Sequence, residues 1–207
     1  MYWAEFLTIA AAHLAAVASP GPDFAVVLKQ SVSNGSRSGV WTSLGLGCAI
    51  LLHVTYCLLG VAVLLNQSPS LFAAVRYVAA AYLFYLGLTA LRDAVKSQGA
   101  TDGQLSAEKL RPLKAFYLGF LTNGLNPKAT LFFLALFTVV IDSATPTLVQ
   151  VGYGVYLSIA TFLWFAMLSA LLGRPSFRSA LLRMGVWFER VMGIILIALA
   201  LQIALFS

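Results

Sequence analysis

Charge is what this chain has least of. Only 10% of its 207 residues are Asp, Glu, Lys or Arg, against about 25% in an ordinary soluble domain. Hydrophobic residues make up 60% and the mean hydropathy is +0.89. So few charges cannot cover a water-soluble globule of this size, which excludes a soluble enzyme and a nucleic-acid-binding module. The net charge of +6 is then no nucleic-acid signal, and no nucleic-acid partner is expected. Cysteine is nearly absent. Cys48 and Cys57 stand nine positions apart in one apolar run, about 13 Å along a helix and too far to bridge. Two histidines and no acidic cluster leave no metal site, and no cofactor is expected. The chain also lacks Gly-x-Ser-x-Gly, His-Glu-x-x-His, Cys-x-x-Cys and a phosphate-binding Gly-rich loop, which disfavours enzymes and ATP-driven pumps. Its start, Met1 to Ala10, carries Glu5 and no basic stretch, unlike a secretory signal. Tyr2 and Trp3 fit an interfacial aromatic anchor instead.

Long apolar runs are what the chain has in plenty. They extend from Glu5 to about Leu28, Val40 to Leu65, Pro69 to Leu91, Ala115 to Ile141, Thr147 to Gly173 and about Trp187 to Phe206. A membrane-spanning helix needs about 20 such residues, and a bilayer offers no water to satisfy an open sheet edge. The expected fold is therefore an all-α integral membrane protein with six transmembrane helices. The segments after the first, third and fifth spans, the last taken with the start of span six, hold two, five and four basic residues, eleven of the thirteen. The segments 66–68 and 142–146 hold none. Basic residues favour cytoplasmic loops, so both termini are expected outside the cytoplasm.

The connection 92–114 divides the chain into two three-span halves, 1–91 and 115–207. An odd number of spans per half makes the halves inverted repeats. Pro22-Asp23 precedes Gly45-Leu46-Gly47 much as Pro127-Lys128 precedes Gly152-Tyr153-Gly154. Val75-Arg76-Tyr77-Val78 is matched with Glu189-Arg190-Val191-Met192 as the openings of spans three and six.

Spans one and four are broken by proline motifs, Ser19-Pro20-Gly21-Pro22-Asp23 and Asn126-Pro127-Lys128. Proline removes a backbone donor and clashes with the preceding turn. At the first position of a new half-helix its fixed φ is an advantage, with Asn126 a suitable N-cap. Irregular backbone at membrane depth is tolerated where it is buried in protein or lines a cavity. Paired interruptions in two halves therefore mark a transporter's binding site. Each break carries one charge, Asp23 or Lys128. These two, with Gly21, Pro22, Asn123, Asn126 and Pro127, are the candidate substrate-binding residues. The alternative is a structural clasp between Asp23 and Lys128 in a passive channel or scaffold.

Asp23, Gln30 and Asn34 share a helical face, as do Thr122, Asn126 and Thr130. Such faces line a pathway or cross-link helices. His13 and His53 are either hydrogen-bonded core residues or proton carriers. Gly45 and Gly47 allow close helix approach or face the site.

Ser19 to Phe24, Asn34-Gly35 through Gly39 and Gly45-Leu46-Gly47 resemble the first half of the LysE/RhtB amino-acid exporter family. Gly119-Phe120-Leu121-Thr122-Asn123 with Asn126-Pro127-Lys128-Ala129 resembles that family's fourth span. Tyr82-Leu83 and Tyr85-Leu86-Gly87 resemble its third. Gly124 departs from the pattern, where a bulkier residue is common. The resemblance implies a bacterial inner-membrane exporter of amino acids or close derivatives, nearer the homoserine/threonine branch. It also implies proton antiport and a homodimer; the amino-acid substrate and membrane lipid are the other expected partners.

A zwitterionic amino acid suits one acid and one base at paired breaks. Lys128 and the free N–H groups after Pro127 offer donors to its carboxylate. Asp23 offers an acceptor to its ammonium. The expected mechanism is alternating access of the two repeats around this midplane site.

Overall fold

The computed structural model describes residues 2–19, 21–67, 111–142 and 144–172, with separate positions between 70 and 92 and between 187 and 201; side chains at 61–67 and at 127 lie outside that description. Every regular element among the described residues is helical. The connection 93–110 falls outside them.

The first apolar run folds as α1 (Trp3–Ala18) and α2 (Pro22–Asn34), bent by 55° at the break between them. Ser19 and Gly21 are extended, and Pro22 opens α2 in the first helical position. Gly35, at φ 83, then ends α2 in a conformation that suits glycine. The chain turns directly into α3 (Ser36–Gln67), with Ser38 N donating to Gly35 O at 2.9 Å.

The fourth run folds as α4 (Pro112–Gly124) and α5 (Pro127–Ala135), and α5 ends in a π-helical turn, Leu136–Val140. At its break, Asn126 N donates to Asn123 O at 2.9 Å and Lys128 N donates to Asn126 Oδ1 at 3.0 Å. Asn126 is thus the N-cap of α5, with Pro127 next in line. The fifth run is α6 (Thr147–Leu172). Residues 36–60 of α3 and the whole of α6 are each long and apolar enough to cross a membrane, and α1 with α2 qualifies as a bent pair.

The helices meet at glycines. A Cβ on Gly45 would stand 2.0 Å from Phe116 O, and one on Gly119 would stand 2.0 Å from Thr42 O. The backbones of α3 and α4 are therefore in direct contact, and any side chain at either position drives them apart. Gly47 of α3 faces Ser158 of α6, and Gly154 of α6 faces Val54 of α3. Among the described residues, nothing lies within 4 Å of a Cβ position on Gly152. Gly87 and Gly193 face each other. A Cβ on Gly87 would meet Gly193 O and Ile197, and one on Gly193 would meet Gly87 O and Leu91. In this reciprocal contact the counterparts are 106 positions apart (87 and 193, 91 and 197). The sequence match of Arg76 with Arg190, 114 positions apart, is out of register with it. Arg76 itself lies outside the described residues.

Two apolar clusters flank the middle of the bundle. One joins Ile9, Ile50, Phe132, Phe133, Phe137 and Leu157. The other joins Val27, Leu46, Phe165, Leu168 and Leu172. Large apolar side chains such as Leu7, Leu59, Leu163 and Met167 are exposed, as a lipid-facing surface requires.

Candidate functional site

The two breaks meet at a central cavity of about 50 Å³, room for the centres of roughly three or four waters. α1 and the break after it supply His13, Ala16, Val17, Ser19 and Gly21, and α2 supplies Pro22 and Asp23. Asn123 comes from the end of α4, Asn126 from the turn, and Lys128, Ala129, Phe132 and Phe133 from α5. Ile50, Thr161 and Phe165 close it from α3 and α6.

Pro22 opens α2 and so puts Asp23 in its first turn, where a carboxylate is favoured by the helix dipole. Its Oδ2 accepts from Asn123 Nδ2 at 2.7 Å, and its Oδ1 accepts from Asn126 Nδ2 at 3.4 Å. The acid of one break is thus held by two amides of the other. Asn123 Oδ1 is buried and makes no hydrogen bond of ordinary geometry among the described residues. Lys128 Nζ donates to Ser19 Oγ at 3.1 Å and lies 3.6 Å from where a Cβ on Gly21 would stand.

Behind the cavity, His53 anchors the break. Its Nε2 lies 3.1 Å from the backbone oxygen of Asn123, which can only accept, so this nitrogen carries a hydrogen. Nδ1 is bonded to the Tyr56 hydroxyl, and the ring lies parallel to Phe133. His13 faces the cavity itself, with Nε2 2.9 Å from Thr161 Oγ1.

Asp23, Lys128, Asn123, Asn126, Gly21, Pro22 and His13 are therefore brought together around one space. Pro127 stands beside it as the first residue of α5. The other sequence candidates sit elsewhere. Gln30 is buried beyond Val27, and its Oε1 accepts from Asn34 Nδ2 at 2.8 Å and Ser38 Oγ at 3.2 Å. Gly45 and Gly47 are at helix crossings. Thr130 donates to Asn126 O, and Thr122 donates to Leu118 O of its own helix. The face shared by Thr122, Asn126 and Thr130 assumes continuous helix, and the break rotates it apart. Ser19 belongs to the first proline motif yet offers no charge to draw attention. Thr161 sits in a span without charges, where its only signal is the buried spacing of Gly154, Leu157, Thr161, Phe165 and Leu168.

Residues 14–207 match the LysE type translocator family. The threonine efflux protein of Escherichia coli (strain K12) is 28% identical over 188 residues, covering 91% of each chain. An uncharacterized membrane protein of the same strain is 31% identical over 89% of this chain and 82% of its own. The leucine efflux protein of Salmonella typhimurium is 38% identical over 61% of this chain and 58% of its own. No solved structure matches. Because the matched region takes in both breaks and most of the chain, the chain belongs to the LysE type translocator family.

Proposed function

We propose that this chain exports amino acids or close derivatives across a bacterial inner membrane, by alternating access around the cavity between the two breaks, with protons as the counter-substrate. The observation that carries the reading is the convergence of Asp23 and Lys128, one from each break, on a single cavity. A zwitterion needs both. Its carboxylate takes Lys128 and the amide donors in the first turn of α5. Its ammonium takes Asp23. Export of threonine and leucine by two relatives, as their names state, fits this chemistry.

The inverted repeat has packing in its favour. Pro22 and Pro127 are 105 positions apart, Gly47 and Gly154 are 107 apart, and Gly87 and Gly193 are 106 apart. Two equivalent residues that touch each other must lie beside a two-fold axis, as Gly87 and Gly193 would. The halves are nonetheless packed unequally. α4 is seated on α3 at Gly45, whereas Gly152, the counterpart of Gly45 by the offset of Gly47 and Gly154, has nothing within 4 Å of its Cβ position among the described residues. Exchange of these two packings is the movement that such symmetry permits.

Purified protein in proteoliposomes loaded with unlabelled amino acid should accumulate the labelled compound by counterflow. A scaffold or a passive channel gives no such overshoot, and its absence would refute the transport reading. The distribution of basic residues supports an orientation with both termini outside the cytoplasm. A cysteine at exposed Ala144, between α5 and α6, should then react with an impermeant thiol reagent from outside. Labelling from the cytoplasmic face alone would reverse the orientation.

A further inference from the structure

The central cavity has a second polar end. Its rim at Ser19 and Lys128 holds the charged groups, and α1 carries the wall back to His13, six residues and about 9 Å away. There the His13 ring meets the Thr161 hydroxyl at 2.9 Å, and the two residues are only 2% and 1% exposed. Ile50, Phe132, Phe133 and Phe165 line the walls between the two ends. The arrangement is a short apolar barrel with charges at one end and a neutral hydrogen-bonding pair at the other.

We propose that the His13–Thr161 pair is the subsite for the substrate's side chain, and that it selects small amino acids with a β-hydroxyl group. This rests on the amino-acid export reading above. Size and polarity support it. About 50 Å³ of room suits a small side chain, and the buried His13–Thr161 end offers hydrogen bonds rather than a counter-charge.

Chemistry supports it as well. A hydroxyl has one hydrogen and two lone pairs, and the Thr161 oxygen makes a single bond among the described residues, to His13. It therefore keeps hydrogen-bonding capacity for a substrate hydroxyl. Because the pair already satisfies one another, an apolar side chain leaves no group stranded. The preference is accordingly modest, about two- to tenfold, the worth of one neutral hydrogen bond.

Threonine and valine test this, since they have the same shape and differ by hydroxyl against methyl. The readout is the ratio of threonine to valine counterflow in proteoliposomes holding the full chain. The wild type should favour threonine. Thr161→Val should lower the ratio by about two- to tenfold, and Thr161→Ser, which restores the hydroxyl, should keep it. Should Thr161→Val fail to insert in the membrane, Thr161→Cys carries the same comparison, with a thiol that hydrogen-bonds only weakly. An unchanged ratio in the hydroxyl-free variant overturns the subsite, as does a wild type that exchanges valine as readily as threonine. A wild type that exchanges no amino acid overturns the export reading instead, and the subsite falls with it.

Discussion

Lys128→Ala abolishes export while leaving the protein folded in the membrane. Lys128 follows Pro127 in the first turn of α5, where the helix dipole disfavours a cation. A lysine has no reason of helix stability to be there, so removing it relieves one local conflict. The Asn126 cap of α5 uses the backbone N–H of residue 128, which alanine retains. Asp23 keeps its two amide donors, Asn123 and Asn126. The fold therefore has other supports, with a loss of stability from the less compensated carboxylate. Substrate binding has no such reserve. Losing a charged hydrogen bond to the substrate carboxylate costs about 1.5–3 kcal/mol, a ten- to hundredfold loss of affinity at the least. Lys128→Arg should fail substantially too. The ammonium stands 3.1 Å from Ser19 Oγ beside the vacant Cβ side of Gly21, and a planar guanidinium does not fit the space of a compact ammonium. The checks are the amount of membrane-inserted protein and the counterflow rate of each variant. Parental counterflow in Lys128→Ala would remove the central site from the mechanism.

Both breaks were legible because proline and charge are loud signals in an apolar sequence. Pro22 and Pro127 each begin a half-helix, and Asn126 caps the second, as local rules for helix ends require. Asp23 and Lys128 could be singled out because a charge in an apolar span is costly unless it has a function or a partner. What the sequence hid is set by packing between distant helices. Asn123 and Thr122 are neighbours with similar polarity, yet only Asn123 reaches Asp23, because the end of α4 is oriented by its glycine contact with α3. Gln30 lies on the face of Asp23 by periodicity, but Val27 and its apolar partners stand between it and the cavity. Thr161 was invisible for the opposite reason. Its role depends on facing His13 across 148 positions of sequence, and one threonine in an apolar helix carries no such information.

Asp23→Asn separates substrate binding from proton coupling. In a proton antiporter, substrate and proton compete for one group or share one conformational change. Asp23 is suited to the first arrangement, since it lines the cavity and would hold the substrate ammonium. An incoming proton on its carboxylate then releases that ammonium, and the empty protein returns carrying the proton. Asparagine has the same size but no charge at any pH. It also presents one oxygen and one NH2 where Asp23 presents two oxygens, so either Asn123 or Asn126 meets a donor instead of an acceptor. Binding should weaken by about 1.5–3 kcal/mol, and counterflow at high substrate concentration should persist at reduced affinity. Export driven by a pH gradient should be lost, because nothing at residue 23 can take up the proton. Equal loss of both activities would limit Asp23 to holding substrate. Full pH-driven export in Asp23→Asn would move the proton to another group. His53 is then the first candidate, because it is bonded to the backbone of Asn123 and so touches the same break. His13, paired with Thr161 at the far end of the cavity, is the second.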